Sequence, residues 1–258
     1  MRFFKICSAG NDYLYLFKPD KQIDYAALSK KVSDRHFGIG SDGLIVLENF
    51  SDCDCSVIMY NSDGSRGKIC GNGIRGAAFL LSKQQKKFEY VLNTDCGKIR
   101  LKTLFCNDER GVFTADMGKA IVVEEKEIVF GGREYDVCFS DVGNLHAVVF
   151  CDNPQKLINK AVKFIKQENL SDYNVEFVKI ENDGNLTVYV HERGSGRTLS
   201  CGSGACAVYK CALQKGYASG ETSLLFEGGK MLVKEENGHI LLTGSSVYVC
   251  EVLFGDEE

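Results

Sequence analysis

Long apolar runs are missing from this chain. None of its 258 residues falls in a stretch approaching the roughly 18 consecutive apolar positions that a membrane-spanning helix needs, so no membrane partner is expected. The opening "MRFFKICSAGNDY" holds only a short apolar burst, and no secretory leader is expected from it. There are two prolines, and no Pro-rich or low-complexity segment marks a linker. There are four histidines, and "HER" at His191–Arg193 has no second histidine at helical spacing, which excludes a metalloprotease helix. C-x-x-C is absent, which argues against a structural zinc site and against a dithiol exchange helix, so no metal is expected. Basic residues are scattered over a chain of net charge −4, and nothing forms the basic stripe of a nucleic-acid binder.

What the chain does have is cysteine, twelve of them. A chain this long without an export signal is expected to keep its thiols reduced in the cytoplasm. Most of the twelve sit in apolar runs, such as Cys138 in "YDVCFS", Cys151 in "VVFCD" and Cys250 in "VYVCEV", and read as small buried hydrophobes. Strand signals dominate the rest. Asp183-Gly184 and Asn237-Gly238 each separate two apolar runs, as hairpin turns do. Helical periodicity is confined to residues 25–32, 72–82, 154–167 and 204–215, the third with Asn153 as N-cap before Pro154. "GIGSDG", Gly38 to Gly43, matches a dinucleotide fingerprint in letters only. A helix precedes it and a strand follows, the reverse of the order such a site requires, so it reads as a glycine-rich turn.

One element occurs twice. "ICGNGIRGAAFLL" begins at Ile69 and "SCGSGACAVYKCAL" at Ser200; each runs cysteine, Gly-x-Gly, helix. Two helical segments precede residue 110 and two follow residue 150, so the chain reads as a duplicated α+β unit joined between Gly111 and Glu124. Glycines leave amide N–H groups unscreened, and a helix start adds a positive dipole end, which together put a thiol beside an anion-binding pocket. Two such thiols, one on each wall of a shared cleft, suit inversion of a stereocentre without a cofactor. One sulfur, as thiolate, removes a proton; the other, as thiol, returns one to the opposite face. The structural alternative is a pair of buried cysteines capping two core helices. A dipole worth about 0.3–1 kcal/mol shifts a thiol by about one pKa unit or less. A further polar partner is therefore needed, and His146 in "VGNLHAVV" and Glu192 in "VHERGSG" are the candidates.

The chain resembles the diaminopimelate epimerase family over nearly its whole length. The resemblance rests on "AGNDY", "DRHFGIGSDG", "YNSDGSRGKICGNGIRG", "VGNLHAV", "NVEFV", "HERGSGRTLSCGSGAC" and "FEGG", in the family's order. Related racemases of proline-like substrates carry another residue at the position of Asn72. The resemblance implies an α+β fold of two pseudo-symmetric halves, each a curled, mostly antiparallel, barrel-like sheet around a central helix, with the active site in the cleft between them. It implies halves at 1–115, joined by the C-terminal strand 248–258, and at 116–247. It implies an isomerase interconverting LL- and meso-diaminopimelate, on the route to lysine and peptidoglycan precursors, with no cofactor and no metal. Cys70 and Cys201 would be the acid–base pair, tuned by His146 and Glu192. Backbone N–H groups of Gly71, Asn72, Gly202 and Ser203 would hold the reacting carboxylate. Asn11, Asn61, Asn144 and Asn174 would line the pocket, while Glu192 and Arg193 would grip the distal amino acid group. The expected partner is a small amino acid, in the cytoplasm, with a homodimer as the assembly left open.

The chain departs from the family pattern at several places. Cys7 and Ser8 replace a histidine and a glycine, Leu145 stands where proline is usual, Gly76 where cysteine is frequent, and "FEGG" replaces a version with proline. Racemisation of a shorter acidic amino acid such as glutamate is the alternative on the same scaffold. A non-catalytic binding module is the alternative of another class.

Overall fold

Alternation of apolar and polar residues makes strands the dominant element of this sequence, and two largely apolar stretches become the helices that those strands enclose. The computed structural model describes residues 1–49, 51–67 and 70–255. Ile69, where the first repeated stretch begins, and residues 256–258 of the expected terminal strand lie outside the described residues. The chain is strand-rich α+β and divides into two compact units, Met1–Ala115 with Gly244–Glu258, and Asp116–Thr243.

The first unit contains β1 (Arg2–Ser8), β2 (Asn11–Phe17), α1 (Tyr25–Ser33), β3 (Gly43–Glu48), β4 (Cys55–Asn61), β5 (Arg66–Gly67), α2 (Gly71–Gln84), β6 (Glu89–Thr94), β7 (Gly97–Cys106) and β8 (Arg110–Asp116). β1 pairs antiparallel with β2, β2 parallel with β3, β3 antiparallel with β4, β4 parallel with β6, and β6 and β7 antiparallel with their successors. The last strand of the chain pairs with both β1 and β8, which closes an eight-strand barrel. Helix α2 fills it, packing on β1, β2, β3 and β7. Ile74, Ala77, Ala78, Phe79, Leu80 and Leu81 are all buried, as expected of a helix enclosed by a sheet on all sides. Each large side chain so enclosed contributes about 1.5–3 kcal/mol.

The second unit contains β9 (Ile121–Phe130), β10 (Arg133–Asp141), β11 (Leu145–Phe150), α3 (Pro154–Ile158), α4 (Ala161–Gln167), β12 (Asn174–Ile180), β13 (Leu186–Glu192), β14 (Gly196–Thr198), α5 (Gly202–Gln214), β15 (Thr222–Phe226), β16 (Gly229–Glu236) and the first residues of β17 (His239–Leu253). Its pairings repeat those of the first unit strand for strand. β10 is antiparallel to β9 and β11, β11 parallel to β12, β12 antiparallel to β13, β13 parallel to β15, and β16 antiparallel to β15 and β17. α5 packs on β9, β10, β11, β12 and β16, as α2 packs in the first unit.

Among the described residues, the four helical segments read from periodicity become five helices. The third breaks at Asn159-Lys160, where Lys160 N bonds back to Leu157 O at 2.8 Å and the Asn159 side chain accepts from Arg197 instead of continuing the turn. Its start is as expected: Asn153 accepts from Lys156 N at 2.9 Å, and Pro154 occupies the first turn. Asn237 and Gly238 both take positive φ between β16 and β17, the geometry of the tight hairpin. Of the three cysteines read as buried hydrophobes, Cys138 is fully buried, but Cys151, just past the end of β11, and Cys250, in the alternating C-terminal part of the last strand, are only half-buried.

Repeated topology allows residues to be matched by register. Tyr13 faces Gly43 at the first pair of β2 and β3, and His146 faces Asn174 at the first pair of β11 and β12. Counting from those pairs sets Asn11 against Asn144, Tyr13 against His146 and Ile45 against Glu176. Gly43 pairs with Asn61, and Val175 with His191, so Glu192 is the counterpart of Asn61. Cys70 and Cys201 both precede the central helix.

Candidate active site

Both cysteines are N-caps. Cys70 caps α2 at φ −137°, ψ 118°, and Cys201 caps α5 at φ −135°, ψ 122°. The extended backbone at the cap, followed at once by Gly-x-Gly, turns the chain into the helix and leaves first-turn N–H groups facing outward from its end. That arrangement suits a carboxylate.

At the start of α2, the cysteine is half-buried and makes no capping bond; it hydrogen-bonds the Tyr13 hydroxyl. Burial, reinforced by the neighbouring Cys70, pushes the Tyr13 phenol well above its ordinary value, so it stays a proton donor. Behind the cap runs a chain of side-chain bonds. The fully buried Arg75 donates to Asn72 Oδ1, Asn72 Nδ2 donates to Asn11 Oδ1, and Asn11 Nδ2 donates to Asp42 Oδ2 at 3.1 Å. Asp42 is bridged in turn to Arg35 at 2.8 Å. The side chains of Asn11 and Asn72 thus brace the helix start. Asn61 ends β4, with Nδ2 on Ser65 Oγ at 2.9 Å and its carbonyl holding Ser29.

At the start of α5, Cys201 is 7% exposed. Its sulfur accepts from Gly204 N at 3.3 Å and lies 3.4 Å from Ser203 Oγ. Glu192 hydrogen-bonds it as well. Burial pushes the Cys201 thiol well up, and the carboxylates of Glu192 and Glu176 push it further, against the pull of Ser203 and the Gly204 amide. Burial also raises the Glu192 carboxyl above the usual range, opposed by a bond from the Thr198 hydroxyl. Asn144 Nδ2 reaches Ser203 Oγ at 3.3 Å. Asn174 Oδ1 accepts from Arg193 N at 3.0 Å, which fixes the backbone that carries Glu192 and Arg193. The Arg193 side chain is exposed, with Nη1 on Asp172 O at 3.4 Å. His146 is fully buried, with Nδ1 2.7 Å from Glu176 Oε1.

Each unit therefore gathers its own share of the residues read from sequence: Cys70, Gly71, Asn72 and Asn11 in the first, with Asn61 at the end of β4, and Cys201, Gly202, Ser203, Asn144, His146, Asn174, Glu192 and Arg193 in the second. Sequence reasoning passed over Tyr13, Arg75 and Glu176. The signal for Glu176 was present, since an acidic residue interrupts the apolar run "NVEFV" in a strand buried along five residues. Among the described residues, no group of three or more His, Cys, Asp or Glu is arranged to hold a metal ion, and no helix is long and apolar enough to cross a membrane.

Gly76 is the departure that the structure explains. A Cβ there would lie 2.0 Å from the Tyr15 hydroxyl, which donates to Gly73 O at 2.8 Å. In this chain the tyrosine ring occupies the space that a larger side chain would need.

Two units, each of strands wrapped on a central helix, define a fold class that other solved proteins share. A putative phenazine biosynthesis PhzC/PhzF protein from Clostridium difficile matches with TM-score 0.73 at 13% identity, covering 99% of this chain and all of that one. A hydroxyproline epimerase from Agrobacterium vitis matches with TM-score 0.70 at 15% identity, covering 98% and 90%. At those identities the likeness is one of fold. Sequence narrows it: residues 3–123 and 138–249 match the family described as Diaminopimelate epimerase, and the chain belongs to that family of isomerases. Relatives bearing that name include one from Methanococcus maripaludis (strain C6), 34% identical over 97% of this chain and 98% of its own length, and one from Acetivibrio thermocellus, 33% identical over 97% of each.

Proposed function

We propose that the protein interconverts LL- and meso-diaminopimelate by two-thiol proton transfer at an α-carbon, without a cofactor. The observation that carries this reading is the duplicated N-cap. Two cysteines sit at matched positions of a repeated fold, each at the amide-rich end of a buried helix. Cys70 and Cys201 act from opposite faces, one removing the α-proton as thiolate and the other returning a proton as thiol. Amide N–H groups of Gly71, Asn72, Gly202 and Ser203 hold the carboxylate on which negative charge develops. Glu192 and Arg193 meet the amine and carboxylate of the distal group, and that pair of charges favours diaminopimelate over glutamate. Both thiols being retained argues against a binding module, since binding alone needs neither. The reaction belongs to lysine and peptidoglycan precursor synthesis in the cytoplasm, where free thiols persist.

The test is isotope exchange. LL-diaminopimelate in deuterated water gains deuterium at one α-carbon with no added cofactor, and Cys70→Ala and Cys201→Ala each abolish inversion while keeping the fold. Absence of exchange above buffer background with folded protein overturns the reading. Near-full turnover by either variant overturns the assignment of the two sulfurs.

A further inference from the structure

We propose that Glu176 is a positioning residue at the start of α5, holding His146 in place and setting a charge beside Cys201; this rests on the two-thiol reading above. No step of that reaction uses Glu176, yet the side chain is fully buried beside the helix start that holds Cys201. A Cβ on Gly204 would meet Glu176 Oε1 at 2.5 Å and Cys201 Cβ at 3.1 Å, so the carboxylate and the thiol-bearing carbon flank one small gap. The same oxygen lies 2.7 Å from His146 Nδ1. His146 occupies the register position of Tyr13, whose ring reaches Cys70 in the first unit.

A buried carboxylate is costly unless a donor answers it, and here that donor is the imidazole. Nδ1–H donates to Glu176, which fixes the tautomer and turns Nε2 into the nitrogen open to a proton. His146 Nε2 and Glu176 Oε2 are both buried without a hydrogen-bond partner, so the pair is not merely a closed core contact. The charged and titratable groups around the carboxylate are His146 from β11, Glu192 from β13, and Cys201 and Cys211 from α5. Glu176 thus orients the imidazole of His146, and its charge keeps the neighbouring Cys201 thiol protonated.

Three measurements on the whole chain test this. Nitrogen-15 NMR of the imidazoles reports the His146 tautomer, pH-dependent alkylation followed by peptide mass reports Cys201, and steady-state kinetics reports turnover. Glu176→Gln keeps an acceptor and removes the charge, so the alkylation midpoint of Cys201 falls while the Nδ1–H form persists. Glu176→Ala removes both, so the tautomer preference is lost and kcat drops about a hundredfold with KM little changed. Should the alanine variant fail to fold, the glutamine variant decides through the Cys201 midpoint. Unchanged imidazole signals and an unchanged midpoint in the folded variants overturn the proposal. If the wild type shows no epimerisation, the function reading fails, while the spectrum and the thiol titration still decide the role of Glu176.

Discussion

The helix starts at Cys70 and Cys201 share one backbone and carry opposite chemistry. At α2 the cysteine bonds a phenol, the strand beneath the third helical residue offers Ile45, and β4 ends in Asn61. At α5 the matched positions hold His146, Glu176 and Glu192, and the cysteine bonds a carboxyl. Duplication supplied the geometry twice, and substitution at three matched positions made the two ends unlike. Inversion by two thiols needs that difference, because one sulfur must be a base while the other is an acid. Carboxylates around Cys201 favour the thiol there, and at Cys70 a phenol donates to the sulfur instead.

The largest expected difference between the two ends comes from adding one methyl group at each. In Gly204→Ala the new Cβ meets Glu176 Oε1 at 2.5 Å, and the carboxylate is pinned by His146, so it cannot yield without disturbing the dyad. In Gly73→Ala the Cβ meets Ile45 Cδ1 at 2.7 Å, the far end of a flexible side chain. Overpacking costs about 1–3 kcal/mol, and alanine returns about 1 kcal/mol of helix propensity. Gly204→Ala is expected to lose about a hundredfold in kcat, and Gly73→Ala to keep most of its turnover and its melting temperature. Equal losses in the two variants would erase the distinction drawn between the ends.

Next in size is the separation of the two thiols by pH. Alkylation with iodoacetamide, read by peptide mass at each cysteine, is expected to reach half its plateau at a lower pH for Cys70 than for Cys201, by about one unit or more. The midpoint is the informative quantity, since the burial of Cys201 slows its rate at any pH. A lower midpoint at Cys201 would reverse the assignment of resting acid and base. Smaller again is Tyr13→Phe. A hydrogen bond to a charged group contributes about 1.5–3 kcal/mol, so removing this donor is expected to raise the Cys70 midpoint by about one to two units and leave that of Cys201 in place.

The duplication itself was legible in the sequence, because a cysteine followed by Gly-x-Gly and an apolar helix has few other uses. The α+β class and the residues of both helix starts followed from it and from the family resemblance. What stayed hidden is what pairing across strands creates. Tyr13 lies in "AGNDYLYLF" and reads as one more apolar strand residue until β2 and α2 bring its hydroxyl to Cys70. Arg75 reads as a solvated helix charge, yet it lies flat against Gly244, where a Cβ would come within 2.9 Å of its guanidinium. That contact joins residues far apart in sequence, and no local pattern announces it. The break between α3 and α4 was missed for the related reason that Leu157, Ile158, Ala161 and Phe164 keep helical spacing across it.

The smallest expected effect concerns stability, and it tests whether Glu192 is held at α5 for chemistry. Burial raises its carboxyl above the range it has in the unfolded chain. A carboxyl raised in this way favours the folded state at low pH, where it is protonated in both states, and loses that contribution as pH rises through its folded value. At pH 7 it is therefore a net burden on folding. Glu192→Gln keeps the shape and the bond from Thr198 without the charge. Its melting temperature is expected to equal or exceed that of the wild type at pH 7, with the gain shrinking toward pH 4, while epimerisation is lost. The first unit supplies the control, since Asn61 already fills the matched position uncharged. A glutamine variant that melts lower at pH 7 would mean that the Glu192 carboxylate stabilises the fold, and the chemical asymmetry of the two helix starts would then need a structural explanation.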